Sequence, residues 1–331
     1  MQQKDFLIIY HKEDNDGVFS TAIIYDYIIN KLKHNYKTEN IVFIGADYVM
    51  MQEFANDKNN TPEQLHQDFK HIILTDISFN PKYMRALFDE FGYDFIWFDH
   101  HAPIIKESYR NKFDDVPGIR DTGRSAILCA YKYLYDPFDE AYNNKEIPEL
   151  LRILSAWDSW TYEKEGYTNN YVRHINKGVT IKYELSISYA KKLINDILEG
   201  KINDSYLVDD LYDYGKTLND YDDIVIKGII ETSGDFGWTV DKKHKACAIF
   251  HQGASNSLMF KSVKNRIDCG IIFKHNPSGV WTISLYNANE DCDFHCGEYL
   301  KTNYNGGGHK GAAGCQITEE QFIKILKEKN I

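Results

Sequence analysis

The sequence predicts an α/β fold carried on two domains, with a mostly parallel sheet in the first. Three observations point to it. Short apolar runs alternate with segments of helical spacing in the N-terminal part of the chain. Three of those runs stop on acids or imidazoles. A second alternation of strands and helices follows a charged, helical stretch. The boundaries read as a first α/β domain over 1–180, a helical connector over 181–230, and a smaller α/β domain over 231–331.

With 331 residues the chain is long enough for two cores, and its 43% apolar content is ordinary for a globular protein. No apolar run approaches a membrane span, and the start lacks the apolar stretch of a signal peptide. The six cysteines show no regular framework, which suggests free thiols and a reducing, cytoplasmic setting. A net charge of −11 argues against a broad footprint on a long duplex. It leaves room for a short anionic ligand held by cations.

Taken in order, the first strand is the run Phe6 to Tyr10, followed by His11, Asp14, Asp16 and Gly17 on a turn into a helix from Val18 to Ile29. Capping a helix explains one acid well, but two acids and a histidine poorly. Ile41 to Ala46 is the next strand, closed by Asp47, for which a supporting role is expected. His71 to Thr75 repeats the pattern and ends on Asp76. A helix is expected over Pro81 to Phe91, with proline in its first turn. The run Asp94 to Phe98 then stops on Asp99, His100 and His101, and Pro103 blocks a simple continuation.

Further on, Arg124 to Leu134 has helical spacing, with Asp121 or Thr122 as its cap. Glu149 to Trp157 is an apolar helix that ends at Asp158, an acid opposed to the helix dipole and in need of a compensating partner. The second domain offers strands at Ala246 to Phe250, Cys269 to Phe273 and Trp281 to Leu285. It also offers a helix from Ser255 to Val263, and a last helix from Glu319 to about Lys327. Cys292, His295 and Cys296 read as packing around a helix start, because no second ligand pair stands at zinc-finger spacing.

In a parallel sheet the carboxyl ends of the strands share one edge, where ligands bind. That edge would gather His11, Asp14, Asp16, Asp76 and His100, with Asp158 as a sixth group. Such a donor set has nitrogen and carboxylate oxygen but no thiol. It suits Mn²⁺, with Co²⁺ or Mg²⁺ as substitutes, better than a structural zinc site. Four carboxylates and two imidazoles are too many for one ion with an open position. They suit two ions about 3.5–4 Å apart that activate a bridging water and clamp a phosphoryl group. Asp99 then orients an imidazole, and His101 contacts the phosphate or protonates the leaving oxygen. Near the C-terminus, Gly306, Gly307 and Gly308 expose backbone N–H groups beside His309 and Lys310, a pattern suited to a phosphate or nucleotide.

These pieces resemble the DHH phosphoesterases that carry the associated C-terminal substrate-binding domain. The matching residues are His11, Asp14, Asp16 and Gly17; Thr75 and Asp76; Asp99, His100 and His101; Asp158; and Gly306 to Gly314, in the order of the family and over almost the whole chain. The resemblance implies a Rossmann-like catalytic domain, two Mn²⁺ ions, and His309 presented across a cleft. It implies that His11, Asp14 and Asp76 hold one ion. Asp16, Asp76, His100 and Asp158 hold the other, so that Asp76 bridges. It further implies a phosphodiesterase acting on short single-stranded oligonucleotides or linear or cyclic dinucleotides, similar to the nanoRNases. A homodimer is compatible with it, and no obligate protein partner is evident. A RecJ-like single-strand exonuclease, a 3′-phosphoadenosine 5′-phosphate phosphatase and a non-catalytic nucleotide sensor are the alternatives. One departure stands out. Relatives often carry a Ser-x-Arg-Ser segment where this chain has Ser284, Leu285, Tyr286 and Asn287. Tyr286 can stack on a base but cannot make a bidentate phosphate contact. Lys261, Lys264 and Arg266 are the cations that could substitute.

Overall fold

The computed structural model describes residues 3–32, 36–102, 105–106, 113, 115–135, 147–253, 257–277, 279–288, 292–308 and 310–328. The chain divides into two compact units, Met1–Asn219 and Asp220–Ile331.

The first unit is built on four parallel strands: β1 (Lys4–His11), β2 (Ile41–Ala46), β3 (Phe69–Thr75) and β4 (Phe95–Phe98), in the order β2-β1-β3-β4. Helices α1 (Asn15–Asp26), α2 (Tyr48–Asn56), α3 (Pro62–Asp68) and α4 (Pro81–Phe91) make the crossovers. Both faces of the sheet are covered, and the alternation of side chains along β1 shows how. Phe6 and Ile8 enter one core with Val18, Phe19 and Ile23 of α1, while Leu7 and Ile9 enter another with Met84 and Leu87 of α4. This double burial is why the strands read as continuous apolar runs.

Helices α5 (Ala126–Tyr135), α6 (Glu149–Asp158), α7 (Asn169–Tyr183), α8 (Ile187–Leu198) and α9 (Asp204–Ser233) follow. The stretch expected to act as a connector also builds core: Ala190, Leu193 and Ile194 of α8 and Leu207, Val208 and Leu211 of α9 pack with α1 and α6. Their heptad-like apolar spacing is that of a helix with one buried face. The expected cap of α5 is corrected by the structure. Asp121 accepts from Gly123 N and pairs with Arg124, while the first amides of α5 donate to Asp16 from far upstream.

The second unit is a mixed six-stranded sheet of β5 (Asp235–Val240), β6 (His244–Phe250), β7 (Cys269–His275), β8 (Val280–Asn287), β9 (Gly307–Gly308) and β10 (Ala312–Thr318). Its order is β5-β6-β7-β8-β10-β9. Only β6 and β7 run parallel; the other pairs are antiparallel. Helices α10 (Cys296–Tyr304) and α11 (Glu319–Glu328) lie on the face that carries Trp238, Phe273, Ile283 and Ile317. The helix expected from Ser255 is a 3-10 helix, Ser257–Val263. Among the described residues no helix is long and apolar enough to cross a membrane.

Candidate metal centre of the first unit

Each acid or imidazole of the first unit singled out in the sequence stands at the carboxyl edge of the parallel sheet or on a helix end beside it. His11 is the last residue of β1. Asp14 is the N-cap of α1 and accepts from Gly17 N at 3.0 Å, and Asp16 lies in the first turn. That turn is tight: a Cβ on Gly17 would stand 2.0 Å from the His11 carbonyl oxygen, so only glycine fits. Asp76 follows β3, Asp99 to His101 follow β4, and Asp158 closes α6.

The geometry is close. His100 Nε2 lies 2.9 Å from Asp158 Oδ2, 3.3 Å from Asp76 Oδ1 and 3.5 Å from Asp16 Oδ2. His11 Nε2 lies 3.6 Å from Asp14 Oδ2. Asp16 is fixed by Ala126 N at 2.7 Å and Ile127 N at 2.8 Å, so its carboxylate ties the β1 turn to the start of α5. Asp99 is fully buried and saturated. It accepts from Trp97 Nε1, from the amides of His100 and His101, and from the His101 ring at Nδ1, 2.9 Å away. Nδ1 of His101 is thereby engaged, and Nε2 is the ring nitrogen left for another partner.

The electrostatics of this cluster are those of a set of acids without enough positive charge. Burial, then Asp14 and Asp16, push the Asp76 carboxyl well above the ordinary carboxylate range. Burial and Asp158 push Asp16 up as well. Burial pulls His100 down, but Asp158, Asp76 and Asp16 outweigh it and hold its imidazole up at about 12. For Asp99, burial is overcome by the His101 ring, which keeps the carboxyl low.

Two observations test whether a divalent cation fits here. Neither oxygen of the buried Asp76 carboxylate accepts a hydrogen bond, and His11 Nδ1 has no partner either. Asp76 Oδ1 has the His100 ring nearby at 3.3 Å but gains no hydrogen bond from it; buried groups satisfied this poorly are costly, and a cation removes that cost. Two overlapping groups, Asp16, His100 and Asp158, and Asp76, His100 and His101, also bring ligand atoms within 4.8 Å of one another. Asp76 adopts φ +59°, a left-handed conformation that an interior residue holds only when its surroundings dictate it. The residues present fit one or more divalent cations.

Three aromatic neighbours carry no charge signal in the sequence: Tyr48, Trp157 and Trp160. Tyr48 opens α2 with its ring 5.8 Å from that of His11 and edge-on to His101 at 6.3 Å; 42% of the residue is exposed, but desolvation of its hydroxyl and the charges of Asp99, Asp76 and Asp14 push that hydroxyl up. Its signal was the acid before it. Asp47 caps α2 through Val49 N and Met50 N and pairs with Lys12, which places Tyr48 beside the cluster. Trp157 and Trp160 flank Asp158 and stack at 6.5 Å. Trp157 lines a depression with Asp14, Asp16 and Asp158, whereas Trp160 is 62% exposed at φ +57°.

In the second unit, Gly307 and Gly308 form a short strand paired with Gly314 and Ala313. Gly308 has φ +140°, and a Cβ there would meet Ala313 Cα at 2.5 Å, so the chain passes closely at that point. Gly306 donates its amide to Leu300 O. His309 lies outside the described residues.

The fold is that of DHH-domain proteins. The chain aligns with a DHH domain described as a member of the s1p family of ribosomal proteins, at TM-score 0.53 and 12% identity, over 99% of this chain and 86% of that one. It aligns at TM-score 0.50 and 15% identity with PggH, a pGpG-specific phosphodiesterase from Vibrio cholerae, over 98% and 97% of the two chains. An exopolyphosphatase-related protein from Bacteroides fragilis gives TM-score 0.50 and 16% identity over 99% and 91%. By sequence, the chain is 24% identical over 323 residues to an uncharacterised protein of Acanthamoeba polyphaga mimivirus, and the match covers 93% of this chain and 66% of that protein. This chain thus spans just under two thirds of the relative's length. No protein-family model matches the sequence.

Proposed function

We propose that the first unit is a manganese-dependent phosphodiesterase of the DHH type, which releases nucleoside monophosphates from short single-stranded oligonucleotides or dinucleotides. The observation that carries this reading is the convergence of His11, Asp14, Asp16, Asp76, His100 and Asp158 around a buried Asp76 carboxylate whose two oxygens accept no hydrogen bond. The solved structures of like fold include one titled a pGpG-specific phosphodiesterase, which agrees with this substrate class.

In this reading His11, Asp14 and Asp76 would hold one Mn²⁺, and Asp16, Asp76, His100 and Asp158 would hold a second. Two such ions supply Lewis acidity: they neutralise phosphate charge and make water a nucleophile near neutral pH. The chain does the rest. Asp16, locked by two amides of α5, and His100, locked through its backbone by Asp99, present their donor atoms without further reorganisation. Asp99 holds His101 Nδ1, so that Nε2 is free to hydrogen-bond a phosphoryl oxygen or to give a proton to the leaving oxygen. Trp160 offers an exposed face two residues beyond Asp158 on which a base can stack. For the second unit, the DHH resemblance supports a separate assignment of nucleotide binding to the segment Gly306, Gly307, Gly308 and His309.

The test is hydrolysis with added Mn²⁺ of linear and cyclic dinucleotides, single-stranded RNA and DNA of increasing length, a 3′,5′-mononucleotide bisphosphate and pyrophosphate, with products resolved by chromatography. Mononucleotide release that falls steeply with length is expected. Progressive degradation of long strands would move the enzyme to the exonuclease class. Release of free phosphate from the bisphosphate would make it a phosphatase, and no product from any substrate would overturn an enzymatic reading.

A further inference from the structure

We propose that the second unit carries a zinc site of its own, formed by His244, Cys292 and Asp293, independent of the centre in the first unit. The three side chains come together from the start of β6 and from the segment that enters α10. One ligand atom from each lies within 4.8 Å of the other two. The sequence conceals this arrangement, because His244 and Asp293 are 49 residues apart. No spacing rule joins them.

The chemistry is specific to a borderline-soft cation. The His244 ring is 9% exposed, and each of its two nitrogens faces a carboxylate. Nδ1 lies 2.9 and 3.0 Å from the two oxygens of Asp241, and Nε2 lies 2.9 Å from Asp293 Oδ1. A carboxylate on one imidazole nitrogen is the usual support for a metal on the other, since it fixes the tautomer and makes the ligand more basic. Cys292 is 7% exposed, and among the described residues its thiol makes no hydrogen bond. A buried thiol close to an imidazole and a carboxylate is the softest ligand of the set. It distinguishes this group from the nitrogen and oxygen donors of the first unit. Lys243 Nζ sits 3.0 Å from Asp293 Oδ2, which leaves Oδ1 as the ligand atom.

A sulfur, a nitrogen and an oxygen make three of the four positions that Zn²⁺ prefers, and water would complete the tetrahedron. The ion would join the β5–β6 turn to the residues just before α10. That helix ends beside Gly306, so the same ion would stiffen the approach to the glycine strand. Without metal, His244 Nε2 meets Asp293 Oδ1 directly while Nδ1 meets Asp241.

Cobalt separates the two states, because only a thiolate site gives an intense sulfur-to-cobalt absorption band in the near ultraviolet, and the first unit's cluster contains no thiol. The full chain, stripped with a chelator, is titrated with Co²⁺ and then with Zn²⁺. The expected result is a band whose final amplitude corresponds to one thiolate-bound Co²⁺ per chain, whatever cobalt the first unit also takes up, and which is displaced by Zn²⁺. The band should persist in Asp76→Ala and vanish in Cys292→Ser. Asp293 is largely exposed, so Asp293→Ala should fold normally and weaken Co²⁺ binding by at least about tenfold. This variant keeps the test decisive if Cys292→Ser unfolds. No band at any cobalt ratio would overturn the proposal. So would a band of unchanged affinity in Asp293→Ala, or one that survives in Cys292→Ser.

Discussion

Asp76 concentrates the tension of the first unit in one residue. It is buried, left-handed, without a hydrogen bond to either carboxylate oxygen, and surrounded by other acids. Asn tolerates the same backbone conformation and removes the charge. Asp76→Asn should therefore fold and, in chelator at neutral pH, gain on the order of 1–3 kcal/mol in denaturant unfolding. It should also lose at least about a thousandfold in turnover, some 4 kcal/mol of transition-state stabilisation. A variant as active as wild type would remove Asp76 from the centre. Trp160 makes a separate case. If its exposed ring stacks on a base, Trp160→Ala should raise KM for a dinucleotide roughly tenfold, within the 1–3 kcal/mol of such contacts, and leave kcat nearly unchanged. An equal loss in kcat would place the residue in the chemistry instead. Protons tell a related story. Asp16, Asp76 and His100 all have raised values in the folded metal-free chain. Their stabilising contribution is complete below the unfolded values of 3.8 and 6.5, and it is lost as pH rises through the folded values. In chelator, Tm should fall as pH rises from about 6.5 toward the folded value of His100 at about 12, and saturating Mn²⁺ should reverse the slope because it binds the deprotonated ligands. A flat profile in chelator would contradict the assignment.

At the scale of elements, the turn from β1 into α1 does the most to place the centre, since it fixes His11, Asp14 and Asp16 within a few residues. Gly17→Ala, with its Cβ 2.0 Å from the His11 carbonyl, should cost more than about 2 kcal/mol in unfolding and displace the Asp14 cap. A neutral effect would mean that the turn relaxes freely. This element was legible in the sequence because an apolar run, a cluster of acids and a glycine occur in immediate succession. The strand ends at Asp76 and Asp99 were legible for the same reason. What escaped were relations with no local signature. The cap of α5 comes from Asp16, 110 residues away. Strand β5 alternates exposed and buried residues over Asp235 to Val240 and includes Gly237, so it lacks the apolar run that marked the other strands. Strand β10 is masked by alanine and glycine, whose small side chains leave little periodicity to read. Tyr48 was hidden by looking for charge where an aromatic ring stood.

Over the whole molecule, the two units differ in kind. The first has a parallel sheet covered on both faces, with its polar residues gathered at one edge. The second has a mixed sheet, with six buried free cysteines in the chain as a whole, all but Cys129 lying in this unit. The segment from Ile187 to Leu211 belongs to the packing of the first unit through α8 and the start of α9, so its removal should expose apolar core and not merely shorten a tether. We propose that the first unit holds two divalent cations that share the Asp76 carboxylate. Electron paramagnetic resonance of the full chain titrated with Mn²⁺ measures this directly, since ions about 3.5–4 Å apart are exchange-coupled and isolated ions are not. Two bound Mn²⁺ per chain, a coupled spectrum in the wild type, and only uncoupled ions in Asp76→Asn are expected. A single uncoupled Mn²⁺ in the wild type, or a coupled pair that survives in Asp76→Asn, would contradict the proposal.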